Sequence, residues 1–75
     1  MTTLSLVSKA LSSENLELVI TRTLHSNNTS FYRIKDKKGN VFPKSRNNKH
    51  DIGENVIIDC IDRFGMQGLK IIFGY

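Results

Sequence analysis

The sequence predicts a mainly β protein: a small five-stranded barrel with a short helix at its N-terminus. Three observations carry this reading. From Leu16 to Leu24 apolar and polar side chains nearly alternate, the period of a half-buried strand. The run FYRIKDKKGNVF sets two β-prone segments around Gly39 and Asn40, residues suited to the positive φ of a hairpin turn. Two apolar runs, NVIIDCID and LKIIFGY, flank the connection RFGMQG. The 75 residues contain no internal repeat, low-complexity tract or linker and are read as one domain, with residues 1–15 packed on a barrel formed by residues 16–75. A core of this size supplies only about 3–5 kcal/mol of net stability, which leaves little scope for a buried catalytic pocket.

In residues 1–15, Leu4, Val7 and Leu11 have helical spacing with Thr2 or Thr3 as a cap, while Leu4 and Leu6 also fit a strand; an amphipathic helix is the preferred reading. In the first strand Leu16, Leu18, Ile20 and Leu24 fall at even positions, and Val19 and Arg22 break the alternation. His25 to Ser30 form a polar connection in which Asn27 and Asn28 tolerate left-handed φ. In the second strand Tyr32 and Ile34 share one face, Ile34 marking the inside, and Phe31, Arg33 and Lys35 share the other. Phe31 then stands outside beside two cations, unless a bulge or a one-residue slip turns it inward.

Pro43 has no backbone donor, so the third strand is expected to be short or at an edge. KSRNNKHDIGEN is apolar only at Ile52 and reads as a loop ending in a Gly53–Glu54 turn. The fourth strand would put Val56, Ile58 and Cys60 on one face, and the fifth Leu69, Ile71 and Phe73. Ile57, Ile61 and Ile72 fill the second faces, which makes this hairpin the expected centre of the fold.

The net charge is +4, but residues 31–50 carry Arg33, Lys35, Lys37, Lys38, Lys44, Arg46 and Lys49 against Asp36 alone, a local +6, leaving −2 for the other 55 residues. A basic cluster is the footprint of a polyanion binder; solvated lysines also collect at turns, and both readings stand. The single cysteine, Cys60, cannot form an internal disulfide and reads as a small buried hydrophobe in a reducing compartment. The N-terminal stretch lacks a basic start and a continuous apolar core, unlike a secretory signal, and no run approaches the roughly 20 apolar residues of a membrane helix. A cytoplasmic protein is expected.

Enzymatic chemistry is not expected. His25, His50, Asp51 and Cys60 have no metal-ligand spacing, so neither a metal nor another cofactor is implied. Cys60 sits in an apolar run without a neighbouring base, and GMQG does not sit between a strand and a helix as a phosphate loop does.

TSFYRIKDKKGNVF resembles the second strand, turn and third strand of the RNA-binding OB-fold family that includes the single-domain bacterial translation initiation factor one. KSRNNKHDIGENVIIDCIDRFGMQGLKIIF is similar to that family's basic loop, its Gly-acidic-x-Val entry to strand four and its closing hairpin. The resemblance covers residues 16–75, with a shorter third connection and an added N-terminal segment. It implies a five-stranded OB barrel on which nucleic acid lies across strands two and three. Phe31, Arg33 and Lys35 would form the face, and residues 25–29 and 63–67 the gripping loops. Phe64 would then offer a base-stacking surface and Arg63 a cation, with Gly65 and Gly68 letting the loop approach the strand; alternatively Phe64 and Met66 close the end of the barrel. The expected function is binding of single-stranded RNA, or less readily DNA, with little sequence preference, through Phe31, Arg33, Lys35, Lys37, Lys38, Lys44, Arg46, Lys49, Arg63 and Phe64. The alternative is a small accessory or inhibitor protein docking on an acidic protein partner, a role to which the Asn-, Ile- and Lys-rich composition of AT-rich phage genomes lends an association.

Overall fold

The computed structural model describes residues 3–26, 28–46 and 50–75. Helix α1 (Thr3–Ser13) forms on the spacing expected of it, burying Val7 and Leu11. Beyond Ser13 the chain turns out of the helix through Asn15, whose φ of 62° is left-handed; short polar side chains tolerate that conformation best after glycine. Strands β1 (Leu16–Leu24) and β2 (Thr29–Asp36) then form an antiparallel hairpin along their full length. The turn between them carries Asn28 at φ 55°.

The irregularities in β1 have a structural cause. Leu18 pairs with Ile34 and Ile20 with Tyr32, but the next pair is Arg22 with Phe31, so Thr21 is an extra residue. Such a bulge reverses the alternation beyond it. Arg22 and Leu24 therefore share the face of Glu17 and Val19, and Leu24 leaves the apolar face on which even numbering would put it. Phe31 keeps the outward position read from its own strand.

At the other end of β2 the chain turns through Gly39, at φ 90°. The Asp36 carboxylate closes this turn, accepting from the backbone N–H of Lys38 (2.9 Å) and Asn40 (2.8 Å) and from the Asn40 side chain (3.0 Å). Strand β3 (Val41–Phe42) is only two residues long, ended by Pro43. After the basic connection, strand β4 (Ile52–Gly53) joins the same edge of β2 further along, opposite Phe31 and Tyr32. The result is one antiparallel sheet with β2 at its centre.

The sheet does not close into a barrel. Residues expected to be strands four and five are helices α2 (Glu54–Phe64) and α3 (Gly68–Phe73). In NVIIDCID the buried residues are Ile57 and Cys60, with Ile61 half-buried, which is helical spacing. Glu54 in the first turn and Arg63 in the last complement the helix dipole. RFGMQG is thus a corner between two helices. Gly65, at φ 72°, ends α2 and donates to the Ile61 carbonyl (2.9 Å). A Cβ on Gly68 would lie 2.7 Å from Cys60 Sγ and 2.9 Å from Phe64 Cβ. Gly68 therefore permits close approach of one helix to another, where the sequence reading had a loop approaching a strand.

All three helices contribute to one core: Val7, Leu11, Ile57, Leu69 and Phe73 pack with Tyr32 and Ile34 of the sheet's inner face. Leu18, Phe42 and Ile52 add to it from β1, β3 and β4, and Met66 folds back onto it from the corner. Among the described residues no helix packs on the opposite face of the sheet. No helix among the described residues is long and apolar enough to cross a membrane.

Candidate functional site

The helix-free face is organised by Arg33, at the middle of β2. Its Nε donates to the Asp51 carboxylate, and its Nη1 donates to the carbonyls of Pro43 (3.0 Å) and Ser45 (2.6 Å). Asp51 also accepts from Thr21 Oγ1 of β1 at 2.9 Å. The pair is largely withdrawn from water, with side-chain exposures of 12% for Arg33 and 3% for Asp51. Burial works to raise the Asp51 pKa, but hydrogen bonds from Arg33 and Thr21, with the charges of Arg33 and Arg22, outweigh it and hold the carboxyl below its ordinary range. This one guanidinium fastens both ends of the connection 43–51 to the centre of the sheet. Its planar fork suits several fixed acceptors at once, as a lysine would not.

Lys44 lies between the two carbonyls held by Arg33, so its backbone position is fixed on both sides. Its Nζ sits 5.3 Å from the Phe42 ring centroid, within cation–π range. Arg46 follows and is exposed. Beside Arg33 on the same face, the Arg22 guanidinium lies 4.2 Å from the centre of the half-buried Phe31 ring. Lys35 pairs with Glu17 across the strands and is exposed, as are Lys37 and Lys38 at the turn that Asp36 closes. The hydrogen bond from the Asn40 side chain, with others from the Asn40 and Lys38 backbone, keeps the Asp36 carboxyl below its usual pKa against a desolvation that would raise it.

The expected site residues thus divide between two layers. Phe31, Arg33 and Lys35 share the helix-free face, with Lys37, Lys38, Lys44 and Arg46 on its turn and adjoining connection. Lys49 lies outside the described residues. Arg63 and Phe64 belong to the end of α2 in the helical layer, so residues 63–67 are not a gripping loop beside the strands. Arg63 donates to Asp59 one helical turn earlier at 3.0 Å, and Phe64 is 61% exposed. Arg33 reaches the expected face, yet its fork is engaged with Asp51 and the connection it holds. Phe31 has a cation stacked on its ring instead of presenting it bare.

Two participants were missed in the sequence. Arg22 belongs to the face only because of the bulge, and its interruption of the alternation was the available signal. Asp51, considered there only as a metal ligand, is the partner of an arginine 18 positions away, for which no local pattern gives notice. Among the described residues no group of three His, Cys, Asp or Glu side chains converges as metal ligands. Cys60 is a buried thiol beneath Gly68. No protein-family model matches the chain, and no curated protein or solved structure matches it.

Proposed function

We propose that the helix-free face of the sheet binds single-stranded nucleic acid with little sequence preference, chiefly through its phosphates. The observation that carries this is the Arg33 clamp: it holds the Lys44 and Arg46 segment next to the Arg22–Phe31 stack and the Lys35–Lys38 turn. Of the acidic side chains, Glu54, Asp59 and Asp62 lie on α2, in the other layer, while Glu17 faces Lys35 and Asp51 is neutralised by Arg33 on the helix-free face. A flexible basic loop loses entropy when it settles on a polyanion; a loop already fastened to the sheet loses less. Arg33 acts here as a positioning residue, while Arg22, Lys35, Lys37, Lys38 and Arg46 meet the phosphates. The outer face of the Arg22 guanidinium, backed by Phe31, supplies a flat cation on which an unpaired base can stack.

Single-stranded binding of this kind weakens with salt by a log–log slope of about 0.7 per phosphate neutralised, so four to six contacts give a slope of roughly −3 to −4. The test is fluorescence anisotropy of labelled oligouridylate and oligothymidylate against the protein at several salt concentrations. Comparison of the two strands decides between RNA and DNA. No binding at low salt, or binding indifferent to salt, overturns the proposal. Co-purification of a protein that survives nuclease digestion would instead assign the face to an acidic protein surface, which the same cations fit.

A further inference from the structure

We propose that β1 is a self-association edge, on which a second copy of this chain pairs antiparallel to continue the sheet. β1 is nine residues long and bonded to β2 on one side, and no described residue pairs with its other edge. Edge strands are blunted by lysine, proline, other charges or a bulge; the sequence of β1, LELVITRTL, has no lysine or proline, and its charges Glu17 and Arg22 and its bulge at Thr21 are the features a second copy would have to match. Ile20, on the inner face of this edge, is 59% exposed. Beside it a shallow recess lined by Leu4, Leu18 and Tyr32, with Ser5 and Ser8 at its α1 side, opens between α1 and the strand.

What identifies the occupant as a second copy is the self-complementarity of the strand. With a two-fold axis through Val19, and Thr21 left out as the bulge it already forms, Leu18 of one copy meets Ile20 of the other, and Glu17 meets Arg22. Each pairing occurs twice. On the inner face the recess gains an apolar cover. On the outer face each Glu17 carboxylate faces the partner copy's Arg22 guanidinium, and the row Phe31–Arg22 continues into Glu17–Lys35 of the second copy. The bulge makes this match: without it, Arg22 would fall on the apolar face opposite Leu16. The pairing joins two basic faces side by side but does not depend on what those faces bind.

The test is sedimentation equilibrium of the full chain after nucleic acid has been removed by nuclease and checked by absorbance ratio. The expected result is a monomer–dimer equilibrium in the micromolar range. Glu17→Arg should weaken it at least about ten-fold, since opposed like charges replace two attractive pairs, and Glu17→Arg with Arg22→Glu should restore it. A second route does not depend on charge: Val19→Cys should form an oxidised dimer at the two-fold axis, where antiparallel Cα atoms lie about 4.5–5.5 Å apart, and Leu24→Cys should not. A monomer at every concentration overturns the proposal. So does a dimer that Glu17→Arg leaves unchanged, or one that crosslinks through Leu24→Cys as readily as through Val19→Cys.

Discussion

Arg33 and Arg63 each hold an aspartate, and the two pairs differ in almost everything except their chemistry. Arg33 and Asp51 join a central strand to a distant connection, with side chains 12% and 3% exposed. Arg63 and Asp59 are one turn apart on α2, 69% and 63% exposed. In the second pair water screens the attraction, and holding two long side chains in one geometry costs entropy, so little stability remains. In the first, each charge has given up most of its hydration, and removing one leaves the other stranded. Thr21 Oγ1 and the carbonyls of Pro43 and Ser45 complete that site, and among the described residues no buried side-chain polar atom lacks a partner. The same residue types thus fasten a distant connection to the sheet in one layer and decorate a helix in the other.

The largest test of this difference is Asp51→Ala, which leaves the Arg33 charge uncompensated and frees the connection at its Asp51 end, with the Pro43 and Ser45 carbonyls still held. A loss of about 3 kcal/mol is expected in denaturant unfolding, together with increased protease cleavage between Pro43 and His50. Gly68→Ala probes the helical layer by placing a Cβ against Cys60 Sγ and Phe64 Cβ. It should cost about 1–3 kcal/mol, without changing cleavage in the connection.

Acid sharpens the comparison without a mutation. The folded-state pKa of Asp51 lies below its unfolded value. Its stabilisation is therefore complete above the unfolded carboxylate pKa of about 3.9, and is lost as pH falls through the lower folded value. Thermal melts should show this acid-side loss in the wild type and a smaller one in Asp51→Ala; equal losses would show that other carboxylates control it. At the small end, Arg63→Ala should change stability by no more than about 0.5 kcal/mol. Oligonucleotide affinity should not change with it, whereas Lys35→Ala should reduce the salt slope by about 0.7.

The β1–β2 hairpin and the short β3 were legible because their signals are local, whereas β4 lay in a stretch read as loop. Tyr32 and Ile34 alternate with Phe31, Arg33 and Lys35, Gly39 and Asn40 mark a turn, and Pro43 ends a strand; each signal spans a few residues, and each corresponds to what the backbone does. Helices α2 and α3 were misread as strands because Val56, Ile57, Ile58 and Ile61 are β-branched. A run apolar on both faces of a strand is also apolar along one broad stripe of a helix. The deciding signals were at the ends: Glu54 in the first turn, Arg63 in the last and Gly65 just beyond. Taking the Gly53–Glu54 step as a strand-entry turn hid the first of them. The Arg33–Asp51 clamp was illegible for another reason. It depends on where a distant connection returns to the sheet, and that follows only once β4 is known to pair with β2.

Nucleic acid is expected to meet the clamped sheet face and leave the helical layer untouched. Backbone amide chemical shifts of the isotope-labelled protein, followed as oligouridylate is added at low salt, test it most directly. The largest shifts are expected at Arg22, Phe31, Lys35 to Lys38, Lys44 and Arg46, with Asp59 to Phe64 unmoved. Shifts centred on Arg63 and Phe64, with the face around Arg33 unchanged, would contradict it.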